Sequence, residues 1–244
     1  MGNPQSILKP DQEFCTMKKL ISILIIGFAL QSCKNKTTKT IPAETPAKDT
    51  LASTADVEQR IIYPKTGRKA IDFLPNAYEI QYEAEGDLNG DSLPDIAVVL
   101  KHKNLKTRQR PVLVLLQNED QSFRLDKVSD IAMPIEYNEF DFKLYDTENI
   151  SIENGALNIK LYGKDNAFGT FRYSGNDLLL TVIEVYYRGA GEQEGIKYDL
   201  VTGEQSTTRT EFLSGEDDPK VTESTDQVKT ERRLFENTSI TAYF

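Results

Sequence analysis

Tryptophan is absent from this chain of 244 residues, and histidine and cysteine are scarce, with one His and two Cys. These shortages exclude a zinc site of four cysteines or of paired Cys and His, an iron–sulfur cluster and a scaffold of several disulfides within one chain. A Ser-His-Asp triad or a Cys-His pair would have to use His102, the only histidine.

Basic residues are outnumbered as well. The chain holds 29 Lys and Arg against 38 Asp and Glu, for a formal net charge of -9. A nucleic-acid surface needs an excess of Lys and Arg on one face, because the ligand is a chain of phosphates. We therefore expect no nucleic acid among the partners of this protein.

The apolar run near the start of the chain is too short to span a bilayer, which needs about 20 such residues. It extends from Leu20 to Leu30, follows Lys18 and Lys19, and leads into Gln31-Ser32-Cys33. A basic start, an apolar centre and small residues before a break are typical of a secretory signal peptide. A short buried helix is the alternative, but it fits poorly with lysines before the run and a tract of Lys, Thr and Pro after it.

The tetrapeptide Leu30-Gln31-Ser32-Cys33 resembles the lipobox of bacterial lipoproteins. The resemblance implies that cleavage before Cys33 leaves this cysteine as the new first residue, acylated on its sulfur. Acyl chains on Cys33 make a lipid bilayer the first expected partner. The expected location is the cell envelope of a bacterium, at the outer membrane, on its periplasmic or surface face.

Composition divides the chain into three parts. Residues 1–32 comprise the signal peptide and, before Met17, a stretch without periodicity that we interpret as a mis-called start. Residues 33–60 combine the lipidated Cys33 with a flexible tether, because they carry too little apolar surface to offset the entropy of ordering. Residues 61–244 are expected to form a β-rich domain.

Almost every periodic segment of residues 61–244 alternates with period 2, which indicates β-strands. The expected strands lie at 77–84, 95–100, 111–116, 123–126, 150–161, 170–187 and 196–209, and the last three segments fold back at turns that contain Gly. We predict an all-β domain of antiparallel hairpins, either propeller-blade-like or sandwich-like.

Three segments depart from this pattern. Residues 66–74 are the one candidate for a helix. Residues 213–234 contain no aromatic residue, and their acidic stretch at 214–231 favours a mobile loop over a strand pair. Phe, Ile and Tyr return in residues 234–244, which are expected to form a strand that anchors the C-terminus.

One loop carries a recognisable set of ligands. Oxygen-bearing groups occupy its alternate positions 1, 3, 5, 7 and 9, namely the side chains of Asp87, Asn89, Asp91 and Asp95 and the main-chain carbonyl of Leu93. Ca²⁺ prefers about 6 to 8 hard oxygen ligands, and Gly90 permits the left-handed backbone that brings alternate side chains together. An EF-hand is excluded, because Val98 stands where that motif requires a bidentate Glu. The alternative is a turn rich in Asp and Asn that binds nothing.

With the strand that follows it, this loop resembles the calcium-binding loop of FG-GAP and VCBS-type repeats, the blade motif of integrin-like β-propellers. The resemblance runs from roughly Tyr82 to Arg124, in a single copy, and includes the later turn at 115–123. It implies a Ca²⁺ ion that stabilises the fold, because every carboxylate of the loop serves as a ligand and none is left for acid–base work.

The segment from Lys101 to Arg110 holds five basic residues and His102. It is either a patch for anionic lipid headgroups or an anionic glycan, or a solvated hairpin loop whose charges discourage pairing between sheet edges.

Two functions remain open at this point. The first is an exported, membrane-anchored lipoprotein whose calcium-stabilised β-domain acts as a binding or assembly module for an envelope protein or a glycan. Some of the 22 Tyr and Phe side chains then form a stacking surface for sugars. The second is a hydrolase of envelope glycans that uses carboxylates the sequence does not identify. No nucleophile is recognisable beside a base, which favours binding.

Overall fold

The computed structural model describes residues 61–106, 108–212 and 218–243. The predicted signal peptide, Cys33 and the predicted tether lie outside these residues. The described residues form β-strands and three 3-10 helices, at Ala70–Phe73, Phe235–Asn237 and Ile240–Tyr243. The prediction of an all-β antiparallel domain is confirmed. No helix in the described part of the chain is long and apolar enough to cross a membrane.

The first sheet has five strands in the order β1-β5-β4-β3-β2, and all of its pairs are antiparallel. Its strands are β1 (Thr66–Gly67), β2 (Tyr78–Gly86), β3 (Asp95–His102), β4 (Val112–Gln117) and β5 (Phe123–Ser129). The strands from β2 to β5 form a four-stranded meander, which is also the form of a propeller blade. β3 and β4 read as nearly continuous apolar runs, because both faces of this sheet are buried.

The second sheet has eight strands, with β12-β11-β10-β9-β8-β7-β6 as its path and β13 paired to the start of β9. These strands are β6 (Thr147–Glu153), β7 (Ala156–Tyr162), β8 (Asn166–Ser174), β9 (Asp177–Arg188), β10 (Glu192–Asp199), β11 (Glu204–Glu211), β12 (Lys220–Gln227) and β13 (Arg233–Leu234). The three predicted hairpins are present as β6–β7, β8–β9 and β10–β11.

The two sheets pack face to face around a shared core, which makes the domain sandwich-like. Inward-facing side chains of both sheets form one cluster, including Val99 and Val114 from the first sheet and Ile159 and Phe171 from the second. The sheets approach each other closely where β2 passes β6, since a Cβ on Gly86 would lie 2.7 Å from the carbonyl oxygen of Ile152. Any larger residue at position 86 would push the two edge strands apart.

A second, smaller core lies on the other face of the first sheet. Residues before β2 cover this face, and Tyr63 and Phe73 pack there with Val98 and Leu113. The predicted helix at 66–74 is therefore helical only at Ala70–Phe73, because Thr66 and Gly67 pair with β5 instead.

Two predictions for the later part of the chain are wrong. The segment expected to be an acidic loop contains β12, which pairs with β11 over eight residues. All its side chains are exposed, so it lacks the apolar alternation that would have marked a strand. The strand expected at 234–244 is limited to the end of β13. Two 3-10 helices follow, and they bury Phe235 and Ile240 in the shared core.

Candidate functional site

The loop at residues 87–95, here called the Asp loop, connects β2 to β3. Gly90 and Ser92 both adopt positive φ, at 82° and 70°, which folds the loop tightly. The two carboxylate oxygens of Asp87 accept hydrogen bonds from the amides of Gly90 at 2.7 Å and Ser92 at 3.0 Å. Asp91 accepts from the Leu93 amide at 2.8 Å and from the Asn89 side-chain amide at 2.9 Å. Side-chain oxygens thus hold the backbone of the loop in place.

Asp95 differs from the other acidic residues of the loop because it is completely buried. Its Oδ2 accepts hydrogen bonds from the amides of Leu88 at 3.0 Å and Asn89 at 3.3 Å, and its Oδ1 accepts one from Gln117 at 3.0 Å. Burial raises the pKa of this carboxyl, and the charge of Asp91 adds to the increase, while the three amides oppose it. Asp95 therefore fastens the Asp loop to the end of β4.

The structure brings part of the predicted ligand set together. Asp87, Asn89 and Asp91 lie on the outer part of the Asp loop and bond to its amides, whereas Asp95 points into the protein. Within the residues that the structure describes, no group of three or more His, Cys, Asp or Glu side chains is arranged to hold a metal ion. The donors fit Ca²⁺ chemically, because a carboxylate oxygen that accepts one amide keeps a second lone pair for a cation.

A depression of about 750 Å³ separates the Asp loop from the β4–β5 turn. Most of its lining residues carry oxygen: Asp91, Leu93, Gln117, Asn118, Glu119, Asp120 and Arg124. Asp120 accepts hydrogen bonds from the hydroxyl and amide of Ser122, and these bonds lower the pKa of its carboxyl. The Asp loop and the β4–β5 turn, which both belong to the segment that resembles a propeller blade, thus border the same depression.

The second sheet leaves one face open to solvent over β7, β8 and β9. Three rings lie on it in a row, here called the aromatic row, formed by Tyr162, Phe168 and Tyr186. Their centroids are 5.0 Å apart for Tyr162 and Phe168 and 5.5 Å apart for Phe168 and Tyr186. Tyr162 and Tyr186 are 37% and 39% exposed. Large rings held in contact on an exposed sheet form a flat apolar platform.

Hydrogen-bonding side chains border the aromatic row. The register places Lys160, Phe168, Glu184 and Lys197 side by side on four neighbouring strands. Next to them is a shallow depression of about 280 Å³, lined by Glu153, Asn154, Asn158, Lys160, Thr170, Arg172, Val182, Glu184 and Lys197. A ligand on this face would meet apolar rings on one side and amides, ammonium groups and carboxylates on the other.

The basic segment at residues 101–110 is not a uniform patch. Lys101 lies 3.5 Å from Glu136, Lys106 pairs with Asp141 at 3.1 Å, and Arg110 is buried. Nδ1 of His102 accepts hydrogen bonds from the amides of Asn104 and Leu105, so the only histidine shapes the turn.

A buried ion pair was not anticipated from the sequence. Arg110 Nη1 and Nη2 each lie 2.7 Å from a different oxygen of Glu148 on β6, and both side chains are almost fully buried. Tyr82 donates a hydrogen bond to the same carboxylate at 3.1 Å, and burial together with the Glu148 charge raises the pKa of Tyr82 to about 12. Tyr82 and Arg110 both bond to the Glu148 carboxylate, so the cluster is a structural link between the sheets.

Fold and surface together define a two-sheet antiparallel β protein with an acidic loop and an open aromatic face. No protein-family model, curated protein or solved structure matches the chain. The functional argument therefore depends on the chain's own residues.

Proposed function

We propose that this protein is an exported, lipid-anchored binding module of the bacterial cell envelope. In this proposal Cys33 is acylated, the open face of the second sheet binds a glycan, and the Asp loop holds a Ca²⁺ ion that stabilises the domain. The aromatic row is the observation that carries the binding function.

Sugar rings have apolar faces and polar edges, so a glycan needs stacking surfaces and hydrogen-bonding groups within reach of each other. The open face offers both, because the aromatic row adjoins Lys160 and Glu184 in register. Its hydrogen-bonding side chains are already ordered, since Thr170 donates to Asn158 at 3.1 Å and Arg172 to the carbonyl of Asn154 at 2.6 Å. An ordered surface loses little entropy when a ligand binds.

The glycan proposal is tested by measuring retention of the protein on immobilised envelope polysaccharides. Phe168→Ala and Tyr186→Ala should each weaken binding by about tenfold or more, because each removes a stacking ring. Phe212→Ala is the matched control, since Phe212 is also exposed, at 51%, but lies outside the aromatic row. Equal binding by all three variants would exclude the open face as the binding site.

The anchor is tested with Cys33→Ala. Wild-type protein should fractionate with membranes and carry the added mass of acyl chains on its first residue, whereas the variant should carry none. Identical N-terminal masses for the two proteins would overturn the lipoprotein assignment.

The calcium proposal is supported by the donor set of Asp87, Asn89, Asp91 and the Leu93 carbonyl and by the buried charge of Asp95. A nearby cation favours ionised Asp95, which burial disfavours. A ligand that binds only the native state at a hundredfold excess over Kd adds about 2.7 kcal/mol. Calcium modules outside the cell bind at about 0.1 to 1 mM, so the titration must reach several millimolar.

Asp91→Ala should abolish the rise in melting temperature with Ca²⁺. Glu139→Gln is the control, because it removes an exposed carboxylate far along the chain from the Asp loop. Mg²⁺ should have less effect than Ca²⁺, because it requires six short bonds and releases its water reluctantly. A melting temperature that responds to neither Ca²⁺ nor chelator would reduce the Asp loop to an ordinary turn.

A glycan hydrolase is the second candidate, favoured by one observation. Two carboxylates, Glu153 and Glu184, line the depression beside the aromatic row. Glu184 already accepts a hydrogen bond from Tyr186 and lies 4.0 Å from Lys197. Release of reducing sugar from envelope glycans that is lost in Glu153→Gln, with binding retained, would establish hydrolysis instead of binding alone.

A further inference from the structure

The long connection between β5 and β6 contains a tight turn at residues 137–143, here called the Phe tip. It carries the two most exposed aromatic side chains of the described residues, Phe140 at 70% and Phe142 at 68%. Neither ring packs against the two cores of the domain. Two neighbouring phenyl rings held in water are an unusual surface feature that indicates an interaction site.

The Phe tip is ordered by its own hydrogen bonds. Asn138 Oδ1 accepts bonds from the amides of Phe140 and Phe142, both at 3.0 Å, and the Asn138 amide donates to the Phe142 carbonyl at 3.0 Å. Tyr137 and Lys143 form a bridge at the base of the turn. Asp141 adopts a φ of 61°, which closes the turn between the two phenylalanines. The rings are therefore presented by a fixed scaffold.

The basic segment supports the Phe tip from one side. Lys106 Nζ lies 3.1 Å from Asp141 Oδ1 and 5.0 Å from the centre of the Tyr137 ring, so the two loops are in direct contact. Leu105 next to it is 51% exposed. The contact joins an apolar projection to the most basic stretch of an acidic protein.

Charge near the Phe tip is positive once the ion pairs are taken into account. Lys101 pairs with Glu136, Lys106 with Asp141 and Arg110 with Glu148. Outside these pairs, the exposed charges of the basic segment and of residues 137–146 are three basic and two acidic: Lys103, Arg108, Lys143, Glu139 and Asp146. The local charge is +1, in a chain with a net charge of -9.

We propose that the Phe tip inserts Phe140 and Phe142 into the interface of a membrane that contains anionic lipids, while the neighbouring basic residues contact the headgroups. Apolar rings gain by leaving water at the boundary of the acyl chains, and cations near an anionic surface add to the attraction. A protruding tip with a basic surround suits a bilayer, which deforms around it, better than a preformed protein pocket. This insertion orients the domain on the membrane and does not require the acyl group on Cys33.

Fluorescence of single-tryptophan variants tests the insertion directly, because the full chain contains no Trp. Phe142→Trp places the reporter in the Phe tip, and Phe212→Trp places it at a site that is also exposed but lies at the end of β11. Both variants share residues 1–60, so any difference between them reports the position of the ring and is independent of acylation. The probe is a vesicle of phosphatidylcholine with about 30% phosphatidylglycerol, with or without brominated acyl chains.

The reporter at 142 should shift its emission to shorter wavelength and be quenched by brominated lipid, while the reporter at 212 should do neither. Reversing two charges with Lys103→Glu and Arg108→Glu in the Phe142→Trp background should lower partition of the tip by about tenfold, and added salt should act in the same direction. Equal quenching at the two positions, or none at 142, would overturn the proposal. A reporter at 142 that is shielded by an envelope protein but not quenched by lipid would also overturn it, in favour of a protein contact.

Discussion

Arg110 and Lys106 lie four residues apart in the same basic segment, but their ion pairs have little in common. The Arg110–Glu148 side chains are 2% and 0% exposed, whereas those of Lys106 and Asp141 are 60% and 67% exposed. Arg110 makes two parallel bonds to its carboxylate, while Lys106 approaches as a single ammonium group. The comparison shows that charge density along a sequence does not indicate what each charge does.

The two pairs differ in how much free energy is lost when one partner is removed. A buried pair is costly to form, because both ions lose their hydration, but breaking it is costlier because one charge stays without a partner. Arg110 reduces this cost with further bonds, from Nε to the carbonyl of Pro134 at 2.6 Å and from Nη1 to Gln81 at 3.2 Å. The exposed pair remains hydrated whether or not it forms, so it contributes little.

The largest expected effect is that of breaking the buried pair. Arg110→Met should lower the free energy of unfolding by about 3–5 kcal/mol, because Glu148 would stay buried without a counter-charge. The double variant Arg110→Met with Glu148→Leu should recover most of this loss. Denaturant unfolding measures both. Equal losses of stability in the single and double variants would show that the unpaired charge of Glu148 is not the cause of the loss.

Asp95 sharpens the comparison, since it is a buried carboxylate that accepts hydrogen bonds from three backbone amides. Asp95→Ala should cost about 1–3 kcal/mol, because three backbone amides lose their acceptor. Glu139→Gln in calcium-free buffer is the control and should stay within about 0.5 kcal/mol of wild type, as exposed sites usually do. Similar losses for both would mean that Asp95 does not fasten the Asp loop to β4.

Tyr82 gives the buried cluster a signature at alkaline pH. Its pKa rises from 10.0 to about 12 on folding, through burial and the Glu148 charge, so its stabilising effect is complete below pH 10 and declines as the pH approaches 12. Tyr82→Phe should cost about 1 kcal/mol near neutrality. The stability difference between wild type and variant should shrink between pH 10 and 12, measured by denaturant unfolding. A constant difference across this range would contradict the assignment.

The smallest effect is expected at the exposed pair. Lys106→Ala should change the free energy of unfolding by less than about 1 kcal/mol, and added salt should remove the difference. A salt-independent loss of several kcal/mol would show that Lys106 holds the Phe tip in place through more than its charge.

Sequence patterns predicted the strands whose two faces differ. β7 is an example, because Leu157, Ile159 and Leu161 are fully buried while Asn158 and Lys160 alternate with them on the open face. β8 alternates in the same way, and Phe168, between the buried Ala167 and Gly169, lies on the open face beside Lys160. β12 could not be found this way, because both of its faces are solvated and it is stabilised by backbone bonds to β11.

The candidate sites also differ in how much of each could be predicted from the sequence. The Asp loop was recognisable because its ligands are close in sequence and share one spacing. The inward direction of Asp95 follows from its place at the start of β3, next to the buried Ile96 and Ala97, and spacing alone does not show this. Arg110 lies in the connection between β3 and β4 of the first sheet, and Glu148 lies on β6 of the second. Their contact therefore depends on how the sheets pack, which periodicity does not encode.

The burial of Phe235 has a consequence for the order of events during biosynthesis. Phe235 contacts Phe171 edge to face, with ring centroids 5.2 Å apart, and Ile240 packs against Gly169. These residues follow every named strand of both sheets along the chain, so the core remains incomplete until they have been synthesised. Contacts that join distant parts of a chain form slowly. The export proposed above requires a chain that is still unfolded, and this delay suits it, because the segment that completes the core is delivered after all the strands.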